Sequence, residues 1–228
     1  SRGSAAPRRS LPQRCALIEF SFRIIRARRR TLAVIVADGE VTVRAPFRAT
    51  DEQIGRFVES KRDWIGRQLA RRDPRFDAVR EGREILCAGE LFPVFFGARC
   101  NEEKDGAFFF KNVQAVRPCF IRRFGAALKE EVAELSRIAG VCPKEILLRD
   151  FKARWGSCDA AGVIKLNWRL AMLPPRLCTY VMIHELCHLK HLDHSAAFWS
   201  EVKKLCPDFF ALRKELKGYA FLTRCFRA

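Results

Sequence analysis

The chain has 228 residues, 49% of them apolar with 19 phenylalanines, and it carries 43 Lys and Arg against 26 Asp and Glu, a net charge of +17. That apolar content is too high for a disordered chain, and the length allows a sizeable core in one or two small domains. The longest apolar runs, such as Leu32–Ala37 and Leu91–Ala98, fall well short of the roughly 20 residues that span a bilayer, and the opening SRGSAAPRRS has no apolar signal core; neither a membrane protein nor a secreted precursor is expected.

Nine of the first 30 residues are Arg, against one acid, Glu19. Residues 1–15 read as a flexible basic tail. Such a segment attracts polyanions, so nucleic-acid contact stands beside the simpler reading of a solvated tail. Ala16–Ile25 then alternates like a strand, and Thr31–Ala37, Asp38-Gly39 and Glu40–Ala45 form a hairpin signal. Thr50 caps a helix whose capping box is closed by Gln53. Its apolar face is Ile54, Phe57, Val58, Trp64, Ile65 and Leu69, and it runs to about Arg72. Glu84–Lys111 is all β, turning near Gly89 and around Asn101–Gly106.

Arg117-Pro118 opens a second long helix that lasts until Ala139-Gly140. Ile146–Lys152 is a strand, and Arg154–Cys158 with Val163–Asn167 make a hairpin around Asp159–Gly162. Pro174-Pro175 begin a helix through His188, Ser195 caps another that ends near Cys206-Pro207, and a last helix, Asp208–Lys217, stops at Gly218. The expected class is α+β: a β-rich part with one helix over residues 16–115, then a second α+β unit over 116–228. The ten cysteines lie 9 to 72 residues apart with no C-x-x-C, which is neither a zinc-ribbon spacing nor a disulfide framework. They read as reduced, mostly buried thiols of a cytoplasmic protein.

All four histidines fall between 184 and 194, and His184-Glu185-Leu186-Cys187-His188 is H-E-x-x-H. On a helix, i and i+4 share a face, so two imidazoles can hold one zinc with Glu185 beside them as general base. Val181, Met182, Ile183, Leu186 and Leu189 make the surrounding helix apolar and put the trio at the floor of a cleft. A catalytic zinc needs a third protein ligand. His191, seven residues from His184, would stand about 10.5 Å along a continuing helix, too far to share the ion. His194 reaches only if the helix stops after His188 and the chain turns back, a break that Asp193 and Ser195 suit; Glu201 on the next helix is the rival. The His184–His194 spacing equals the metzincin one, but His191 replaces the turning glycine and no methionine follows His194.

Arg154-Trp155-Gly156-Ser157-Cys158, Leu166-Asn167-Trp168-Arg169-Leu170, His184–His188 and His194-Ser195-x-x-Phe198-Trp199 together resemble the YgjP-like metal-dependent hydrolases, small bacterial cytoplasmic zincins related in their core to SprT-like metallopeptidases. Arg28-Arg29-Arg30, Asp38-Gly39, Val43-Arg44-Ala45-Pro46 and Trp64-Ile65 extend the resemblance over nearly the whole chain after Ala16. The resemblance implies a zincin-like C-terminal unit built on the H-E-x-x-H helix, with one zinc held by His184, His188 and His194 and Glu185 as the catalytic residue. It also implies a peptidase, while a member of the family has been described as a nucleoside triphosphate (UTP) pyrophosphatase.

Beside the helix, the Arg154–Cys158 strand can serve as the sheet edge that aligns an extended peptide, with Gly156 allowing close approach and Arg154 or Asn167 contacting a developing oxyanion; a plain core hairpin is the alternative. Tyr219, Phe198 and Trp199 read as packing residues. The reading is thus a zinc metallopeptidase acting on a peptide or protein. Nucleotide pyrophosphate hydrolysis at the same metal is second, and a basic nucleic-acid-binding protein with a structural zinc is third.

Overall fold

The computed structural model describes residues 20–37, 39–70 and 73–227. The basic tail expected over 1–15 lies outside the described residues, as do the first part of the strand expected from Ala16, Asp38 of the hairpin turn, and positions 71 and 72 of the first expected helix. Contacts divide the chain into two units, the first ending at Pro74 and the second beginning at Arg75.

In the first unit, strands β1 (Phe22–Ala27), β2 (Ala33–Ala37) and β3 (Glu40–Pro46) form a sheet of order β1-β3-β2, with β1 parallel and β2 antiparallel to β3. Val41, Val43 and Ala45 alternate inward along β3, as period-2 patterning dictates, and bury against Ile54 and Val58 of helix α1 (Asp51–Ser60) and Ile65 of α2 (Arg62–Leu69). The Thr50–Gln53 capping box forms as expected. The single helix expected to about Arg72 is instead two. Lys61 leaves the helical region and its N–H bonds the Val58 carbonyl, a tightened turn that still leaves Ile54, Val58 and Ile65 in one core. Arg26, from the basic run, donates to the Ala49 carbonyl at 2.6 Å and to Asp51 at 2.7 Å, tying β1 to the start of α1.

The second unit opens with α3 (Asp77–Arg80) and a sheet of order β4-β5-β7-β6, made of β4 (Glu84–Cys87), β5 (Glu90–Phe96), β6 (Glu102–Lys104) and β7 (Ala107–Phe110). The turn expected around Asn101–Gly106 narrows to Asp105-Gly106, both at positive φ, because Glu102–Lys104 pair antiparallel to β7. Helix α4 (Val116–Ala139) ends on Gly140 in the left-handed region, and Phe120, Leu128 and Val132 on its buried face complete one core with Phe108 and Phe110 of β7.

A second sheet, of order β8-β10-β9, follows: β8 (Glu145–Arg149), β9 (Gly156–Cys158) and β10 (Val163–Asn167), with β8 parallel and β9 antiparallel to β10. This leaves β9 at the edge. After a 3₁₀ turn, Trp168–Met172, come α5 (Pro175–Cys187), α6 (Ala196–Leu205) and α7 (Phe209–Leu216). Helix α7 ends within a residue of the expected stop, and the chain then continues in 3₁₀ form over Lys217–Arg224, with Gly218 at no positive φ. No disulfide links the nine cysteines among the described residues, and no described helix is long and apolar enough to cross a membrane.

Candidate metal centre

Helix α5 buries nine of its thirteen residues, including Leu177, Val181, Met182, Ile183 and Leu186, so it is apolar nearly all round, as a central core helix must be. Its start is fixed from outside. At the tip of the β4–β5 hairpin, the Ala88 and Gly89 N–H groups donate to the Ala171 and Met172 carbonyls at 2.9 and 3.1 Å. A Cβ at Gly89 would stand 2.8 Å from the Pro174 ring, so only glycine lets the hairpin tip meet the residue that precedes α5. Pro175 at the first turn lacks only an N–H that the helix start leaves unpaired anyway.

The helix ends at His188. Leu189 and His191 turn their N–H groups back to the Leu186 and Cys187 carbonyls, and Asp193 accepts the Ser195 N–H at 3.2 Å. Ser195 then caps α6 by accepting the Phe198 N–H. This turn carries His194 back over the end of α5. Nitrogens of His184, His188 and His194 lie within 4.8 Å of one another, with 3.1 Å between the Nε2 atoms of His184 and His194.

The His188 Nδ1–H donates to the His191 carbonyl at 2.9 Å; since a carbonyl only accepts, the lone pair of His188 is left on Nε2. His184 has no such support, its Nδ1 being buried without a hydrogen-bond partner. The Phe198 ring lies against all three imidazoles, at 4.4 Å from His188 and 4.9 Å from each of the others, and Trp199 stands 5.6–5.7 Å from His194 and His184. Burial, reinforced by the neighbouring His188, His194 and Arg213, takes His184 down to about 3, and burial with His188 and Arg213 lowers His194 too. Neutral imidazoles are the ligand form, and three converging nitrogens, two of them Nε2 atoms 3.1 Å apart, fit a cation of the zinc type.

Glu185 is buried at 6% exposure, and its carboxyl is pushed up to about 8 by that burial, against the pull of Arg154. It lies against β9. A Cβ at Gly156 would be 2.6 Å from Glu185 Oε1 and 2.7 Å from its Cγ, so the missing side chain at 156 is the space the glutamate occupies.

Two of the three expected substrate contacts therefore meet Glu185, Gly156 by contact and Arg154 by charge from an exposed position. Asn167 is fully buried, and its amide donates to the Phe151 and Arg154 carbonyls, both at 3.0 Å, while its Oδ1 accepts the Arg169 N–H. Its side chain holds the 151–154 turn. Glu201 is outside the histidine cluster and bonds Lys190 and Lys204. His191 contributes its carbonyl and not its ring. The sequence reading passed over Arg213, whose guanidinium lies 4.7 Å over the Trp199 ring, and took Phe198 as plain core. The sign of Phe198's second role is its place three residues after the Ser195 cap, where the first turn of α6 faces the end of α5.

The family described as YgjP-like, metallopeptidase domain, matches residues 30–106 and 110–219. No curated protein matches the chain. Among solved structures, the chain is similar to the metallopeptidase zymogen of Pyrococcus abyssi abylysin, at 25% identity and a TM-score of 0.37, covering 39% of this chain and 90% of that one. It is also similar to the metallopeptidase zymogen of Methanocaldococcus jannaschii jannalysin, at 20% identity and a TM-score of 0.33, covering 39% of this chain and 96% of that one.

Proposed function

The chain belongs to the YgjP-like metallopeptidase-domain family, and from this we infer that it is a zinc-dependent hydrolase that cleaves peptide bonds. The observation that carries the reading is the convergence of His184, His188 and His194 directly beside a buried glutamate that is not itself one of the three. His184, His188 and His194 would hold one ion, leaving a position for water. Zinc, when bound, acidifies water and polarises a carbonyl.

Glu185 accepts the proton of the attacking water and returns it to the leaving amine. Burial raises its affinity for that proton despite the opposing charge of Arg154, and a cation held by the three histidines would lower it and so keep the carboxylate available as a base near neutral pH. Gly156 lets the carboxylate lie flush with the edge strand β9, where an extended substrate would pair by its backbone. Asn167 acts through the 151–154 turn as a positioning residue.

Zinc content and hydrolysis of casein, measured together, test this. Glu185→Gln should keep one zinc per chain and lose hydrolysis by several orders of magnitude. His194→Ala should lose both, and Glu201→Gln should keep both. Zinc retained in His194→Ala but lost in Glu201→Gln would overturn the ligand set, and near-normal turnover in Glu185→Gln would overturn the base.

A further inference from the structure

Two exposed arginines flank the site, one on a ring beside the histidines and one on the segment that leads to Gly156. Arg213 of α7 lies with its guanidinium carbon 4.7 Å from the centroid of Trp199, the ring that stands 5.6 Å from His194 and 5.7 Å from His184. Arg154 lies two residues before Gly156, where β9 begins, with its guanidinium carbon 5.6 Å from the Phe151 ring and its carbonyl fixed by Asn167 at 3.0 Å. Aromatic stacking holds a guanidinium plane in place while leaving its N–H edge free.

Neither arginine has a carboxylate partner among the described residues, whereas Arg26, Arg80, Arg123 and Arg176 pair with Asp51, Asp77, Glu103 and Glu215. The acids around the cleft are already engaged: Glu201 by two lysines, Asp193 by the Ser195 N–H, and Glu185 inside the site. Yet both stand by the site, Arg213 on the ring that flanks His184 and His194, and Arg154 two residues before Gly156, which meets Glu185. A fixed positive charge beside a cluster that binds a cation weakens that binding. The arrangement is offset when an anion lies between them.

We propose that the cleft selects peptides with acidic side chains on both sides of the scissile bond, Arg213 taking one carboxylate and Arg154 the other. This rests on the peptidase reading above. A guanidinium suits the task because it can present two parallel N–H donors to one carboxylate.

Internally quenched peptides of one sequence, with Glu or Gln on either side of the cleaved bond, provide the test. Each Glu should raise kcat/KM about fivefold over Gln, as an exposed ion pair does at most, and the gain should shrink above about 0.15 M salt. The ratio between Glu and Gln peptides is the readout, so that a general loss of activity cancels. Arg213→Gln should abolish the preference at one position and Arg154→Gln at the other, with Lys at either restoring part of it. Fluorescence anisotropy of the same peptides on zinc-loaded Glu185→Gln protein should give the same ratios without turnover. Equal cleavage of Glu and Gln peptides, or a preference that survives both Arg→Gln variants, overturns this inference and leaves the peptidase reading intact. Cleavage of no peptide by the zinc-loaded protein overturns the peptidase reading itself; if UTP is then hydrolysed, the arginines belong to phosphates.

Discussion

A methyl group at position 156 has nowhere to go except into Glu185. The nearest atoms it would meet, Oε1 at 2.6 Å and Cγ at 2.7 Å, belong to the residue proposed as base. Gly156→Ala should therefore leave zinc content unchanged while turnover falls about a hundredfold, the order of loss that a displacement of about 1 Å at a reacting group causes. Metal analysis beside steady-state rates on casein checks it, and undiminished turnover would mean the two residues move apart freely. The sequence displays Gly156 as a glycine in a strand and no more, because its partner lies 29 positions away. His184 and His188 are different: their spacing alone puts them on one helix face, and the break after His188 follows from the Asp193 and Ser195 caps. Asn167 illustrates the limit, since a polar residue beside a site reads the same whether it faces substrate or, as here, spends its amide on two carbonyls.

At the scale of elements, local chemistry was legible wherever it decides the outcome. The Thr50 box and the Gly140 stop are each set by a few adjacent residues, and both form as expected. The break at Lys61 has no glycine or proline to announce it, and β6 is an exposed Glu-Glu-Lys with no alternation, so pairing with β7 creates that strand. The cap on α6 carries a consequence for the site. Ser195 Oγ accepts the Phe198 N–H, holding the ring that packs on all three imidazoles. Ser195→Ala should cost about 1 kcal/mol of stability and weaken zinc binding more than a cap elsewhere, for example Thr50→Ala. Thermal melts with and without zinc separate the two, and equal zinc affinities for both variants would count against the link.

Across the second unit, Asp150 joins segments far apart in the chain. It bonds Arg169, whose side chain is fully buried, and Arg227 near the C-terminus, while the Cys225 carbonyl takes two further Arg169 donors at 2.7 and 3.1 Å. Partial burial pushes the Asp150 carboxyl up, but the hydrogen bonds and charges of Arg169 and Arg227 outweigh it and hold the group below the usual carboxylate range. A depressed carboxyl contributes stability above its unfolded value, near pH 4, and loses it as pH falls through the folded value. Acid unfolding of the native chain should thus steepen below about pH 4, and Asp150→Asn should flatten that limb. At neutral pH the same variant should lose about 2 kcal/mol, because a buried guanidinium is left without its carboxylate. Denaturant titrations across pH 3–7 measure both; an unchanged acid limb would assign the acid sensitivity to other groups. None of this is legible in sequence, where Asp150, Arg169 and Arg227 are three charges among many.

The bond from the His188 ring to the His191 carbonyl does more than orient one imidazole. It ties the electron pair that a bound cation would draw on to the backbone of the very turn that delivers His194. Whatever pulls on His188 would also draw that carbonyl closer, so an ion held there and the loop would order as one event. Titrating zinc into the metal-free chain should slow amide-hydrogen exchange over residues 189–195 in proportion to occupancy, while the 24 residues of α4 keep their rates. Exchange that is already slow before zinc arrives would mean the turn is rigid by itself. Slowing in step with zinc makes residues 189–195 the part of the chain whose folding the metal completes.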